Sequence, residues 1–180
     1  MRSQILAAVG LAAGAYAAGC MSADDAALVA ANFQHLIDEP FSEELATSAL
    51  TPDFVDYASG VNTLINQGCA APLDLTAATF TSRDAFIAGQ SSQAPIPFEI
   101  LNLWNNCDNV MLRWRTHDLG PTQPPETVTG MVVIETTESG DDTNPWQIQT
   151  VYSEFNSGAW LYDLGIFVPT CSATKRSLRL

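Results

Sequence analysis

The order of periodicities along the chain limits its fold more than any single motif. Helix-like stretches come before residue 98, and four strand-length runs follow. Ala26, Val29, Phe33, Leu36 and Ile37 form one stripe over Ser22–Glu39, the spacing of an amphipathic helix. Ser22 and Asp25 offer a capping box, Asp24 and Asp25 suit the positive end of the helix dipole, and Pro40 stops the helix. Ser42 caps a second, short helix reaching about Leu50, and Ser82 a third over Arg83–Gly89. The expected strands are Phe98–Asn105, Val110–Thr116, Thr127–Thr137 and Trp146–Asn156. Asn106–Asn109 turns the first pair, and the acidic stretch Glu138–Pro145 turns the last. Between the two halves, Phe54–Tyr57 reads as extended, Val61–Ile65 fits helix or strand, and Gln67–Thr79 reads as a loop. Helices segregated from a strand meander predict an α+β domain.

With 180 residues, 47% of them hydrophobic, the chain can fill one core. Twenty acidic side chains against seven basic ones give a formal charge of -13. Such a surface repels phosphate backbones, which excludes nucleic acid as a partner. His35 and His117 are too few and too far apart to hold zinc.

Arg2, the apolar run Ile5–Ala17 and the Ala15-Tyr16-Ala17 site read as a signal peptide over residues 1–17. The run falls short of the roughly 20 residues that span a bilayer. The expectation is a secreted, extracellular domain over 18–171 with no stable membrane association after cleavage. A second reading takes Ala17-Ala18-Gly19-Cys20 as a lipoprotein signal with Cys20 lipidated, although the usual large aliphatic residue three places earlier is missing. Residues 172–180 carry Lys175, Arg176 and Arg179 and read as a disordered basic tail, with Lys175-Arg176 a dibasic cleavage site. Cys20, Cys69, Cys107 and Cys171 form an even set, so an oxidising compartment implies two disulfides, with three connectivities open.

In the last strand, strict alternation puts Trp146, Ile148, Thr150, Tyr152, Glu154 and Asn156 on one face. That face starts apolar and ends in a phenol, a carboxylate and an amide, about 7 Å apart in steps. Inside an apolar pocket Glu154 could serve as acid or base, Tyr152 as donor to a developing oxyanion, and Asn156 as an orienting amide. The plainer alternative pairs Glu154 with Arg113 or Arg115 across the sheet and leaves Tyr152 in the core. Asp53, Asp56 and Tyr57 form a second candidate group, whose plainer reading has Asp53 starting a turn and Asp56 solvated. His35 reads as a helix-face residue and His117 as exposed. Trp104, Trp114, Trp146, Trp160 and Phe98 can line an apolar ligand pocket or simply fill a core and a dimer surface. The chain has no Ser-His-Asp order, Gly-rich phosphate loop or metal motif. No cofactor and no metal are therefore expected.

The segments DFVDYASGVNTLIN, TSRDAFIAGQ, FEILNLWNNCDNVMLRWR, VTGMVVIET and WQIQTVYSEFNSGAWLYDLG, in this order, resemble the secreted fungal branch of the nuclear-transport-factor-2-like superfamily. YSEFNSGAWL, and Trp104-x-x-Cys107 followed by Arg113-Trp114, are the specific strings. Similar sequences often carry a histidine after the Trp104 position, where this chain has Asn105. The resemblance implies a cone: N-terminal helices packed on a strongly curved, mainly antiparallel sheet around an apolar pocket. It also implies the pairing Cys20 with Cys107 and Cys69 with Cys171. Relatives of this kind include isomerases, dehydratases, polyketide cyclases and non-catalytic binders, so fold alone does not fix the function. Three readings follow. The first is a protein binding a small apolar molecule, with Trp104, Trp114, Trp146, Tyr152 and Asn156 as ligand contacts. The second is a cofactor-free lyase or isomerase acting on a polyketide- or terpenoid-like substrate through Glu154 and Tyr152. The third is a homodimeric interaction protein using the outer face of the meander.

Overall fold

A computed structural model describes residues 19–168 and Thr170. The expected signal peptide and basic tail lie outside the described residues, as does Cys171. The elements are α1 (Ala23–Asp38), α2 (Glu43–Ala49), β1 (Leu50–Tyr57), α3 (Ser59–Ile65), α4 (Arg83–Gln90), β2 (Glu99–Asn105), β3 (Asn109–Thr116), β4 (Val128–Glu138), β5 (Trp146–Phe155) and α5 (Ser157–Asp163). The fold is α+β, as expected. Helices pack on one curved five-stranded sheet of order β1-β5-β4-β3-β2. The β2–β5 meander is antiparallel, and β1 adds to its far edge parallel to β5. The extended piece around Phe54 is thus a fifth strand, and the ambiguous Val61–Ile65 is helical.

Local signals in the sequence built the local structure. Ser22 Oγ accepts from Asp25 N at 3.1 Å while Ser22 N donates to Asp25 Oδ2 at 3.3 Å, closing the capping box. Ser42 and Ser82 cap α2 and α4 through Leu45 N and Ala85 N. Each such cap contributes about 1 kcal/mol. At the β2–β3 turn, Asn106 Oδ1 accepts from the Asp108 and Asn109 amides. The long loop after α3 is held by two amides. Asn62 Nδ2 donates to Ala77 O at 2.9 Å, and Asn66 bonds Leu73 through both its amide nitrogen and its oxygen. Cys20 is bonded to Cys107 and ties the start of α1 to the β2–β3 turn, where Met21 N also donates to Cys107 O. That pairing matches the one the resemblance implied. It also occupies the sulfur a lipid anchor on Cys20 would need. Cys69 is exposed, and its expected partner lies outside the described residues.

Two bulges decide which side chains face the helices. On β5, Ile148 pairs with Thr136 and Thr150 with Glu135, so Gln149 is an extra residue. On β2, Leu101 is skipped between Ile100 and Asn102. An extra residue reverses the alternation beyond it and bends the strand. Hence Ile148 faces inward, and after the bulge Val151, Ser153 and Phe155 do so while Tyr152 and Glu154 turn outward. The core fills the concave side: Phe54, Phe86, Leu112, Ile134, Ile148 and Val151 are all buried.

Candidate functional site

The concave side is not completely filled. A cavity of about 640 Å³ lies between the sheet and α1, α3, α4 and the segment 93–97. Its floor comes from Trp114 on β3 and from Val151, Ser153 and Phe155 on β5. Phe33, Phe80, Phe86, Phe98 and Trp160 contribute further aromatic wall. The rings brace one another: Phe98 stacks on Trp114 with centroids 4.5 Å apart, and Trp114 meets Phe155 edge-on at 5.7 Å. That meeting needs Gly130 on the inner face of β4. A Cβ there would come within 2.7 Å of both the Trp114 ring and Phe155.

Of the two carboxylates that line the cavity, Asp118 is exposed and Asp56 is buried in the apolar wall. Asp56 lies near the end of β1, facing inward beside Val151, and is only 8% exposed. Its backbone is pinned to the chain before α4, with Asp56 N donating to Phe80 O and Asp56 O accepting from Thr79 N. Its Oδ1 is buried and has no hydrogen-bond partner among the described residues. Burial alone pushes the Asp56 carboxyl up to about 7. Near neutral pH this group therefore holds its proton half the time, and it can give or take one inside the cavity.

The structure separates the residues that alternation had grouped. Tyr152 is 43% exposed on the outer face and stacks on Tyr57, with centroids 5.5 Å apart and planes 9° off parallel. Glu154 is also outside, accepting from Ser59 Oγ at 2.6 and 2.7 Å. Asn156 lies past the strand as the N-cap of α5, where its Oδ1 accepts from Ala159 N at 3.1 Å. The Gln149 bulge is the reason for the first two placements. The capping preference of Asn explains the third. The expectation that these three side chains share the cone's interior is corrected accordingly. Glu154 does not pair with either arginine: Arg115 makes a two-point contact with Glu99 at 2.6 and 2.9 Å, and Arg113 reaches Asn102 at 3.4 Å.

Of the expected ligand-contacting tryptophans, Trp114 does line the cavity. Trp104 is 47% exposed on the outer face of β2, and Trp146 packs against the core without lining the cavity. Phe98 and Trp160 line it as well. His35 and His117 are exposed, as expected. Asp53 is exposed on β1, within the strand rather than at a turn.

Asp56 stood in the second candidate group, and the structure overturns its plainer reading as solvated. The signal was present, because Phe54 and Asp56 lie two apart in an extended run and so share a face, and Phe54 had to be inside. No group of acidic, histidine or cysteine side chains among the described residues could hold a metal ion.

A curved sheet closed by helices over an internal cavity defines a cone-fold protein with a small-molecule-sized pocket. The family model of the NTF2-like domain matches residues 19–167, and the chain belongs to that family. No curated protein sequence matches it. Several solved structures share the fold. One is a hypothetical protein with a ketosteroid isomerase-like fold from Catenulispora acidiphila DSM 44928, in complex with trimethylamine; it is 12% identical, with a TM-score of 0.56 over 78% of this chain and 97% of that one. A candidate SnoaL-like polyketide cyclase from Jannaschia sp. CCS1 is 12% identical, with a TM-score of 0.51 over 81% and 97%. A de novo designed protein with a curved β-sheet is 11% identical, with a TM-score of 0.52 over 81% and 97%. At these identities the likeness is one of fold.

Proposed function

We propose that the protein binds a small, largely apolar molecule in the cone. The observation that carries this reading is the cavity itself: about 640 Å³, walled by aromatic and aliphatic side chains, with Asp56 as its deep polar group. Pockets for drug-sized molecules run from about 300 to 1,000 Å³ with few polar groups. The test is titration with Nile red, a neutral apolar dye that fluoresces when desolvated. Wild type is expected to bind it saturably, and Ser153→Trp, which fills the cavity from its floor, is expected not to. Equal binding by both proteins would refute the reading.

A second reading rests on Asp56. A carboxyl pushed up to about 7 by burial in a largely apolar cavity suits proton transfer without a cofactor, as a lyase or isomerase of polyketide- or terpenoid-like molecules requires. In this reading Asp56 replaces Glu154 as acid or base. Asp56→Asn then abolishes turnover of such a substrate, followed by mass spectrometry of the product, while Glu154→Gln leaves turnover intact. The reverse pattern would sink it.

A homodimer through the outer sheet face is compatible with either reading. Tyr57, Tyr152, Val133, Met111 and Trp104 are successive cross-strand partners, so one row of large side chains crosses all five strands. Beside it, Met131 on the central strand is 48% exposed, with Arg113 on one side and Glu154 on the other. A two-fold axis at Met131 sets Arg113 of each copy over Glu154 of the other. Sedimentation is expected to give a dimer for wild type and a monomer for Val133→Glu; a wild-type monomer at micromolar concentration would end this reading.

The Cys20–Cys107 bond favours an oxidising, extracellular location. Among the described residues no helix is long and apolar enough to cross a membrane.

A further inference from the structure

The cavity has a charge character that its apolar walls obscure. Among the described residues, no lysine, arginine or histidine lines it. Its ionisable lining groups are Asp56, deep inside, and Asp118, whose carboxylate is held by His117 Nδ1 at 2.8 Å. Arg83, at the start of α4, does not line the cavity, and its Nη1 donates to the Thr47 and Leu50 carbonyls at 3.2 Å. Asp56 thus lines a largely apolar cavity with its Oδ1 buried and without a hydrogen bond, and no side chain of opposite charge stands beside it in the lining.

A desolvated carboxylate without a partner is costly to a fold. A cation brought in by the ligand would supply both missing interactions as a charge-assisted hydrogen bond. The walls suit the same guest. Rings of Phe33, Phe80, Phe86 and Trp114 surround the space, and aromatic faces attract an ammonium group once water is excluded. At longer range, the formal charge of -13 concentrates cations around the molecule. An anionic guest meets the opposite of all three.

We propose that the molecule the cone receives is a hydrophobic amine, with its ammonium on Asp56 and its apolar body against the aromatic wall. This rests on the reading of the cavity as a binding pocket, and it narrows the class of guest.

Three probes of one shape test it by calorimetry or tryptophan quenching at pH 8: a naphthylmethyl dimethylamine, the hydrocarbon in which CH replaces the nitrogen, and an alcohol of the same outline. Wild type is expected to bind the amine about tenfold or more tighter than the hydrocarbon, the range of a hydrogen bond to a charged group. Asp56→Asn is expected to erase that preference while still binding the hydrocarbon. Asp56→Ala repeats the comparison with no polar side chain. Equal or tighter binding of the hydrocarbon or the alcohol by wild type would overturn the amine proposal and leave the pocket reading standing. An amine preference that survives both substitutions would overturn the assignment to Asp56. If wild type binds none of the three, pocket reading and proposal fail together.

Discussion

Replacing Asp56 with asparagine is expected to stabilise the protein, and the size of the gain depends on pH. The ordinary carboxyl value of 3.8 is raised to about 7 in the fold because burial penalises the charged form. Between those two values the native state keeps a proton that the unfolded chain has released. Stability therefore falls as pH rises through this window, by about 1.4 kcal/mol per pH unit. Above pH 7 the full penalty, about 4 kcal/mol, is present; below pH 4 it is gone. Asparagine has nearly the same shape and does not titrate, so it removes the penalty. Urea unfolding of both proteins from pH 4 to 8 measures the difference, and other titrating groups cancel because both proteins contain them. With a urea slope of about 2 kcal/mol/M, the midpoint of Asp56→Asn should exceed that of wild type by about 2 M at pH 8 and match it at pH 4. A midpoint difference that stays constant across this range would refute the claim that Asp56 is desolvated without a partner.

Two further substitutions probe how the cavity is built. Gly130→Ala puts a methyl group within 2.7 Å of the Trp114 ring and the Phe155 Cβ. It should cost about 1–3 kcal/mol by overpacking and weaken dye binding, read from urea curves and the Nile red titration; an unchanged midpoint would mean that the two rings do not define the floor. Deleting Gln149 restores strict alternation on β5. Thr150 then follows Ile148 in register with Glu135 and Thr136, Val151 and Phe155 stay inward and Tyr152 and Glu154 outward, so the deletion should still unfold cooperatively by circular dichroism; loss of cooperative unfolding would refute Gln149 as an extra residue that the pairing skips.

Much of the architecture was legible because its signals are local. Serine caps at Ser22, Ser42 and Ser82, the asparagine-rich turn at Asn106–Asn109 and the valine- and isoleucine-rich β4 each act within a few residues. What was illegible depends on distant pairing. Gln149 carries no mark of a bulge, being neither glycine nor a turn former, and it becomes one only because β4 and β1 pair on either side of it. That one residue moved Tyr152 and Glu154 out of the cone. The parallel seating of β1 at the sheet edge was equally hidden, because the Val55–Thr150 pairing joins segments about 95 residues apart. Asp56 is different. Its position followed from Phe54 by alternation, and the prior that aspartate near a proline is solvated outweighed that pattern.

The cost at Asp56 has a counterpart elsewhere in the fold. Cys20 and Cys107 close a loop of 87 residues. In the chain-entropy description, cross-linking a loop of that length lowers the entropy of the unfolded state by an amount worth about 4–5 kcal/mol. This is close to the penalty that a buried, unpaired carboxylate imposes at pH 8. A domain whose net stability is typically 5–15 kcal/mol can hold such a group only with a reserve of this order. The two terms arise in different places, one in the pocket and one at the β2–β3 turn, and by different mechanisms, so they should add. Cys20→Ser combined with Cys107→Ser is then expected to lose about 4–5 kcal/mol at any pH between 4 and 8, and adding Asp56→Asn should restore most of it at pH 8 but none at pH 4. Rescue of equal size at both pH values would show that asparagine acts through packing rather than charge. No rescue at pH 8 would show that the carboxylate finds a partner in solution.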